Sequence, residues 1–149
     1  MAIRPVGIVS DLSAAAATVF NRIELNPVRN IHCTEFGISL NAAPNSTAAP
    51  IEFDVQRMST VGTGTAGTVV KLQDDNSEAL VCTALVENSA DGTTQDVLHR
   101  LFVPNVSGVI WVAAPGREFD CVAADFLGIQ NVAALPSGVN AAIYIVWEE

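Results

Sequence analysis

Positive charge is the scarcest commodity in this sequence: a single lysine, Lys71, and six arginines stand against sixteen acidic residues, for a net charge of −9. No basic stripe can form that would neutralise a phosphate backbone, which excludes direct nucleic-acid binding. Charge of either sign is thin, at 15% of residues against about 25% in an average soluble domain. Half of the residues are hydrophobic, so apolar surface is left over that charged side chains do not cover. No uninterrupted apolar run approaches the roughly 18 residues needed to span a bilayer, so no membrane partner is expected. Self-association is the remaining outlet, because an oligomer interface replaces surface that a monomer would charge.

The cysteines, Cys33, Cys82 and Cys121, are odd in number and widely spaced. They offer neither a disulfide framework nor a zinc knuckle, and fit a reducing site of synthesis. Pro5, Gly7 and Asp11 interrupt the stretch after Arg4, so no secretory leader is read there, and the sequon Asn45-Ser46-Thr47 carries little weight without one. No G-x-S-x-G elbow occurs and no serine is grouped with a histidine and an acid. The expectation is a protein that is not an enzyme and holds no cofactor.

What the sequence does have is alternation. In "IEFDVQ", Ile51, Phe53 and Val55 take one face of a strand and Glu52, Asp54 and Gln56 the other. Similar short runs, bounded by Gly, Pro, Asn, Asp or Ser, bring the total to about ten strands. Helical spacing is confined to "DLSAAAATVF", where Asp11 or Ser13 could cap an alanine-rich turn. The pattern predicts one all-β domain over 1–149, a jelly-roll-like antiparallel sandwich of 8–10 short strands with little helix, and an up-and-down barrel as second choice. In the last strand Ile143, Ile145 and Trp147 share one face and Ala142, Tyr144 and Val146 the other. Both faces are apolar, so the strand is either central or covered by another subunit.

Several constellations invite a chemical reading. Gly62, Gly64 and Gly67 have the G-x-G-x-x-G spacing of a pyrophosphate cradle, with Glu87 about 20 residues on, but "TVVKL" follows in place of a helix, and a loop over 60–68 is predicted. His99 shares a strand face with Val97, Leu101 and Val103 and reads as a core or interface histidine. His32 and Cys33 are adjacent and point to opposite faces, which makes them poor co-ligands. Asp74, Asn76 and Glu78 have the opening spacing of a calcium loop without its glycine, since Ala79 stands there; a solvated turn is expected. Glu52 and Asp54, about 7 Å apart on a strand, are a conceivable acid and base pair and equally an ordinary solvated face. Cys82 and Cys121 align with apolar neighbours as small core residues. Among the arginines, Arg22, Arg57, Arg100 and Arg117 suit interface ion pairs.

The order of "TEFGISL", an Ala/Pro/Thr-rich turn, "GVIWVAAPG" and the closing "LPSGVNAAIYIVWEE" resembles small virion proteins of tailed bacteriophages over most of the chain. In particular the layout is similar to capsid decoration, or cement, proteins of jelly-roll type. The resemblance implies a homotrimer on the head surface, with copies of itself and the major capsid protein as partners, made in the host cytoplasm and residing in the virion. A tail, collar or head-fibre component touching the host surface is the first alternative, and a carbohydrate-binding jelly roll using Glu52 and Asp54 the second. Candidate subunit or capsid contacts are Arg4, Pro5, Arg57, Arg100, Trp111, Arg117, Tyr144 and Trp147, with 1–12 as a candidate N-terminal arm.

Overall fold

A strand that alternates apolar and polar residues buries one face only against a second sheet, and this chain builds two. The structure is a computed structural model and describes residues 5–13, 20–41, 50–73, 78–136 and 138–149. The strands are β1 (Val6–Ser13), β2 (Asn21–Asn26), β3 (Ile31–Asn41), β4 (Pro50–Met58), β5 (Thr63–Ala66), β6 (Val69–Lys71), β7 (Thr83–Ala90), β8 (Thr94–Pro104), β9 (Gly108–Val112), β10 (Phe119–Cys121), β11 (Phe126–Asn131) and β12 (Asn140–Glu148). No helix occurs among the described residues.

The first sheet runs β10-β3-β12-β1-β6, with β9 also on β3, and the second runs β5-β7-β2-β11-β4-β8. Every pairing is antiparallel. The pairings nest: β1 with β12, β2 with β11, β3 with β9 and β10, and β4 with β8. That nesting is the connectivity of a jelly roll, two Greek keys rolled into a sandwich. Strands β5, β6 and β7 are inserted between β4 and β8; β5 and β7 extend the second sheet and β6 extends the first.

The core lies between the sheets, with Ile143, Ile145 and Trp147 of β12 facing Ile23 and Leu25 of β2 and Ile129 of β11 across one continuous apolar cluster. Trp147 is fully buried, and its ring lies so close over Gly7 that a Cβ added there would fall 2.6 Å from it. Glycine at position 7 is thus what lets the largest core side chain lie flat on β1.

Several expectations are corrected. Asp11 and Ser13 belong to β1 rather than capping a helix, and the alanines after them lie outside the described residues. The stretch from Val6 is an interior strand between β12 and β6, not an arm laid on a neighbour, while Arg4 is outside the described residues. The alanine run had suggested a helix, but alternating inward Gly7, Val9 and Asp11 pair in register with Trp147, Ile145 and Ile143, and this pairing overrides local propensity. Twelve strands replace about ten: the additional ones are β1, from the N-terminal stretch, and the short β5 in the glycine-rich segment.

Replacing Trp147 with alanine is predicted to cost about 3–5 kcal/mol, the range for emptying a large aromatic site. Urea unfolding at constant slope measures it, and a loss under ~1 kcal/mol would contradict this packing.

Candidate functional site

The inward residues of the first sheet fix which side chains point out. Register places Val112, Glu35, Val146, Ile8 and Val70 in one outward row across β9, β3, β12, β1 and β6. The next row is Ile110, Gly37, Tyr144 and Ser10, and the third is Gly108, Ser39 and Ala142. Glu35 is the only charged side chain in these rows, and it accepts a hydrogen bond from the Tyr144 hydroxyl. At about 4.8 Å per strand the five strands make a face roughly 20–24 Å wide. Ile110 is 66% exposed, Val112 62% and Val70 50%.

This face has relief. Tyr144 tips over Gly37, where an added Cβ would fall into its ring, and the tilt leaves the third row uncovered. A groove of about 610 Å³ results, floored by the small residues Ser39, Gly108 and Ala142 and walled by Ile110, Tyr144 and Ser10. Burial and the bond to Glu35 push the Tyr144 phenol up to about 12, so it remains a neutral donor.

The outer face of the second sheet is polar and partly covered by its own connections. Glu24 of β2 is fully buried there and accepts hydrogen bonds from the Gly62 amide at 2.8 Å and from Asn88 Nδ2 at 2.7 Å. Asn21 donates to Glu24 and to the Met58 sulfur, Gln56 donates to Asn21, and Thr94 donates to Gln56. Asp91 receives the Asn21 amide and the Gln130 side chain. Burial raises the pKa of both Glu24 and Asp91 above the usual carboxylate range, while their donors pull the other way. The network fastens the segments after β4 and β7 onto the sheet.

The same network explains the glycine spacing. A Cβ at Gly62 would fall 2.4 Å from Asn88 Nδ2, and one at Gly64 2.3 Å from Asn88 Oδ1. These glycines bring the backbone down onto buried Asn88 and Glu24. Within 60–68, Thr63–Ala66 form strand β5 rather than loop, "TVVKL" holds strand β6 as its pattern predicts, and among the described residues no helix follows to hold a phosphate. Glu87 is in β7 with a left-handed φ of 51°, where it forms part of an irregularity in the β5–β7 pairing.

The carboxylate pair is occupied. Arg100 grips Asp54 through Nε and Nη2 at 2.8 and 2.9 Å, and its Nε lies 2.8 Å from Glu52. Opposite Glu52 stands Phe102, which is 61% exposed. Arg57 pairs with Asp96 at 3.2 Å and donates to the Asp120 carbonyl at 2.6 Å. His32 contacts Asp120 on the outside of the first sheet, while Cys33 turns into the core. Glu78 meets Arg29, and Asp74 and Asn76 lie outside the described residues. Among the described residues no group of three or more histidine, cysteine, aspartate or glutamate side chains is placed to hold a metal.

Trp111 turns inward, stacked on Phe119 at 4.4 Å and on Phe36 at 5.2 Å, with His99 beside all three rings. His99 shares that inner face with Leu101 and Val103, but an irregularity in the β4–β8 pairing moves Val97 off it. The three thiols are buried and unbridged, and burial pushes each up to about 12, which keeps them protonated and inert. Of the candidate contacts, Tyr144 is on the outward face, Arg117 is exposed in the turn before β10, Arg57 and Arg100 serve internal ion pairs, and Pro5 and Trp147 are buried. The residues that make the outward face, Ile8, Val70, Ile110 and Val112, escape a sequence reading because which alternate set points out depends on pairing between distant strands.

A second buried charge group sits between β1 and β2. Arg22 is 4% exposed with Nε and Nη2 unpartnered, and nearby Asp11 has an unpartnered Oδ2. Burial, with Glu87 adding repulsion and Arg22 opposing both, lifts the Asp11 carboxyl to about 6.

Compared with known protein families and with curated proteins, the chain matches none.

The Asp11 shift carries a sign. The folded chain holds this proton up to about pH 6, against an ordinary value of 3.8, so the contribution of Asp11 to stability is fully present below about pH 3.8 and is lost as pH rises through that window. Urea midpoints followed across it should decline in the wild type and decline less in Asp11→Asn; parallel profiles would contradict the assignment. For the second network, Glu24→Gln turns one of the two accepting oxygens into an amide donor, set against either the Gly62 amide or Asn88 Nδ2. A loss of about 1–3 kcal/mol is expected, together with faster hydrogen exchange at Gly62; unchanged exchange would mean that Glu24 does not fasten the segment.

Proposed function

We propose that this chain is a structural, non-catalytic jelly-roll subunit: a phage decoration protein that assembles with copies of itself on the head and contacts the major capsid protein. The observation that carries this reading is the outward face of the first sheet, charge-poor and apolar on a chain of net charge −9. Fully burying an aliphatic side chain is worth about 1.5–3 kcal/mol, so covering the exposed parts of Ile110, Val112 and Val70 returns roughly 1–2 kcal/mol each. That is a useful share of the roughly 4–15 kcal/mol cost of association, and repetition by symmetry multiplies it.

Two further features support an assembling role. The carboxylates and arginines that could act on a substrate are engaged with one another, as in Glu52, Asp54 and Arg100. The nested jelly-roll pairing also agrees with the fold that the sequence resemblance implies, and that resemblance implies three copies per assembly. Light scattering on the purified protein should give a mass of several 15.6 kDa chains, and the protein should bind expanded heads stripped of decoration. A monomer that binds no head would overturn this function.

A glycan-binding jelly roll is the second reading, favoured by exposed Phe102 beside Glu52 and Arg100. Glycan retention lost in Phe102→Ala with unchanged thermal stability would support it over the first.

A further inference from the structure

We infer that the grooved outer face of the first sheet, from β9 to β6, is where a second copy of this chain packs. The inference rests on the assembling role proposed above and adds the face and its occupant.

Charge selects a copy of itself. Two chains of net charge −9 repel each other over most of their surface. They can approach closely where charge is missing, and the three outward rows carry only Glu35, already bonded to Tyr144. A basic partner, by contrast, would be drawn to the acidic remainder of the molecule and would find nothing to pair with here.

Shape points the same way. The face has an aliphatic ridge, Ile110 and Val112, beside a floor of small residues, Ser39, Gly108 and Ala142. Ridge and floor on a single face let the ridge of one copy seat over the floor of the next, a heterologous contact that closes into a ring when the rotation permits. A face five strands wide offers roughly 400–500 Å² in projection at standard strand spacings. That is about half or more of the ~800 Å² per partner in a standard interface, which the rims supply. A small-molecule site would need a few convergent polar groups in an enclosed pocket, whereas this groove is open, and of its three hydroxyls, on Ser10, Ser39 and Tyr144, the last is already committed to Glu35.

The test compares the solution mass of the full chain with that of Ile110→Asp and Ala142→Arg, one placing charge on the ridge and the other filling the floor, with Phe102→Asp on the opposite face as control. Both face variants should run at the single-chain mass of 15.6 kDa, or dissociate at about a hundredfold higher protein concentration than the wild type, with wild-type circular dichroism and melting temperature, while the control keeps the wild-type mass. Face variants that fold and retain the wild-type mass overturn the inference and leave the assembling function standing. A wild type that is monomeric yet binds stripped heads, with binding lost in Ile110→Asp, overturns it too and assigns the face to the shell. Failure of both assembly and head binding in the wild type removes the proposed function itself.

Discussion

Pairing between the two ends of the described chain holds this molecule together. Strand β12 lies between β1 and β3, with Val6 opposite Glu148 and Ser13 opposite Ala141. Once that closure is made, the nested order of the other pairs follows: β2 meets β11, β4 meets β8, and the inward residues of both sheets meet in one core. The closure depends on two glycines. Gly7 gives Trp147 room on the inner side and Gly37 gives Tyr144 room on the outer side. One strand thereby sends its largest ring into the core and its next largest across the surface. Contacts this distant in sequence carry a high loop-closure cost, so the fold depends on burial rather than local propensity.

The two outer faces of the sandwich solve the same problem differently. The second sheet covers itself: Glu24, Asn21, Gln56 and Asn88 are buried under the chain's own connections and bonded into one network, in which Asn88 Oδ1 is left without a partner. Such a network stabilises only when its members are paired, because an orphaned buried donor or acceptor costs more than a pair returns. The first sheet has no such cover among the described residues, and its rows are apolar where the other sheet is polar. This asymmetry separates a face that is finished within the chain from one that is completed by association.

How far the sequence reveals this depends on the range of the interaction. The alternation in Ile51–Gln56 and the double apolar face of Ile143–Trp147 are local patterns and appear as the strands β4 and the central β12, but β4 is buried on both faces because Asp54 and Gln56 are covered as well, so the half-buried strand that alternation suggests is corrected. Asp11 misled because an N-cap residue before alanines looks the same as a strand residue whose partners are more than a hundred positions away. The glycine triad misled in a different way: its spacing is real, but the reason for it, close approach to Asn88 and Glu24, lies in strands that the local sequence does not name. Alternation already places Trp147 and Tyr144 on opposite faces of the last strand, and register decides that Trp147 is the one that turns inward and Tyr144 the one that turns outward. Arg100 was legible as an ion-pair former, though its partners are within the chain rather than across an interface.

The central claim is that the charge-poor grooved face of the first sheet is buried when the protein assembles. A cryo-electron microscopy or crystal structure of the assembled protein tests it most directly. The account predicts Ile110 and Ala142 in van der Waals contact with a second copy. An assembly in which both face solvent while another surface is buried would contradict it.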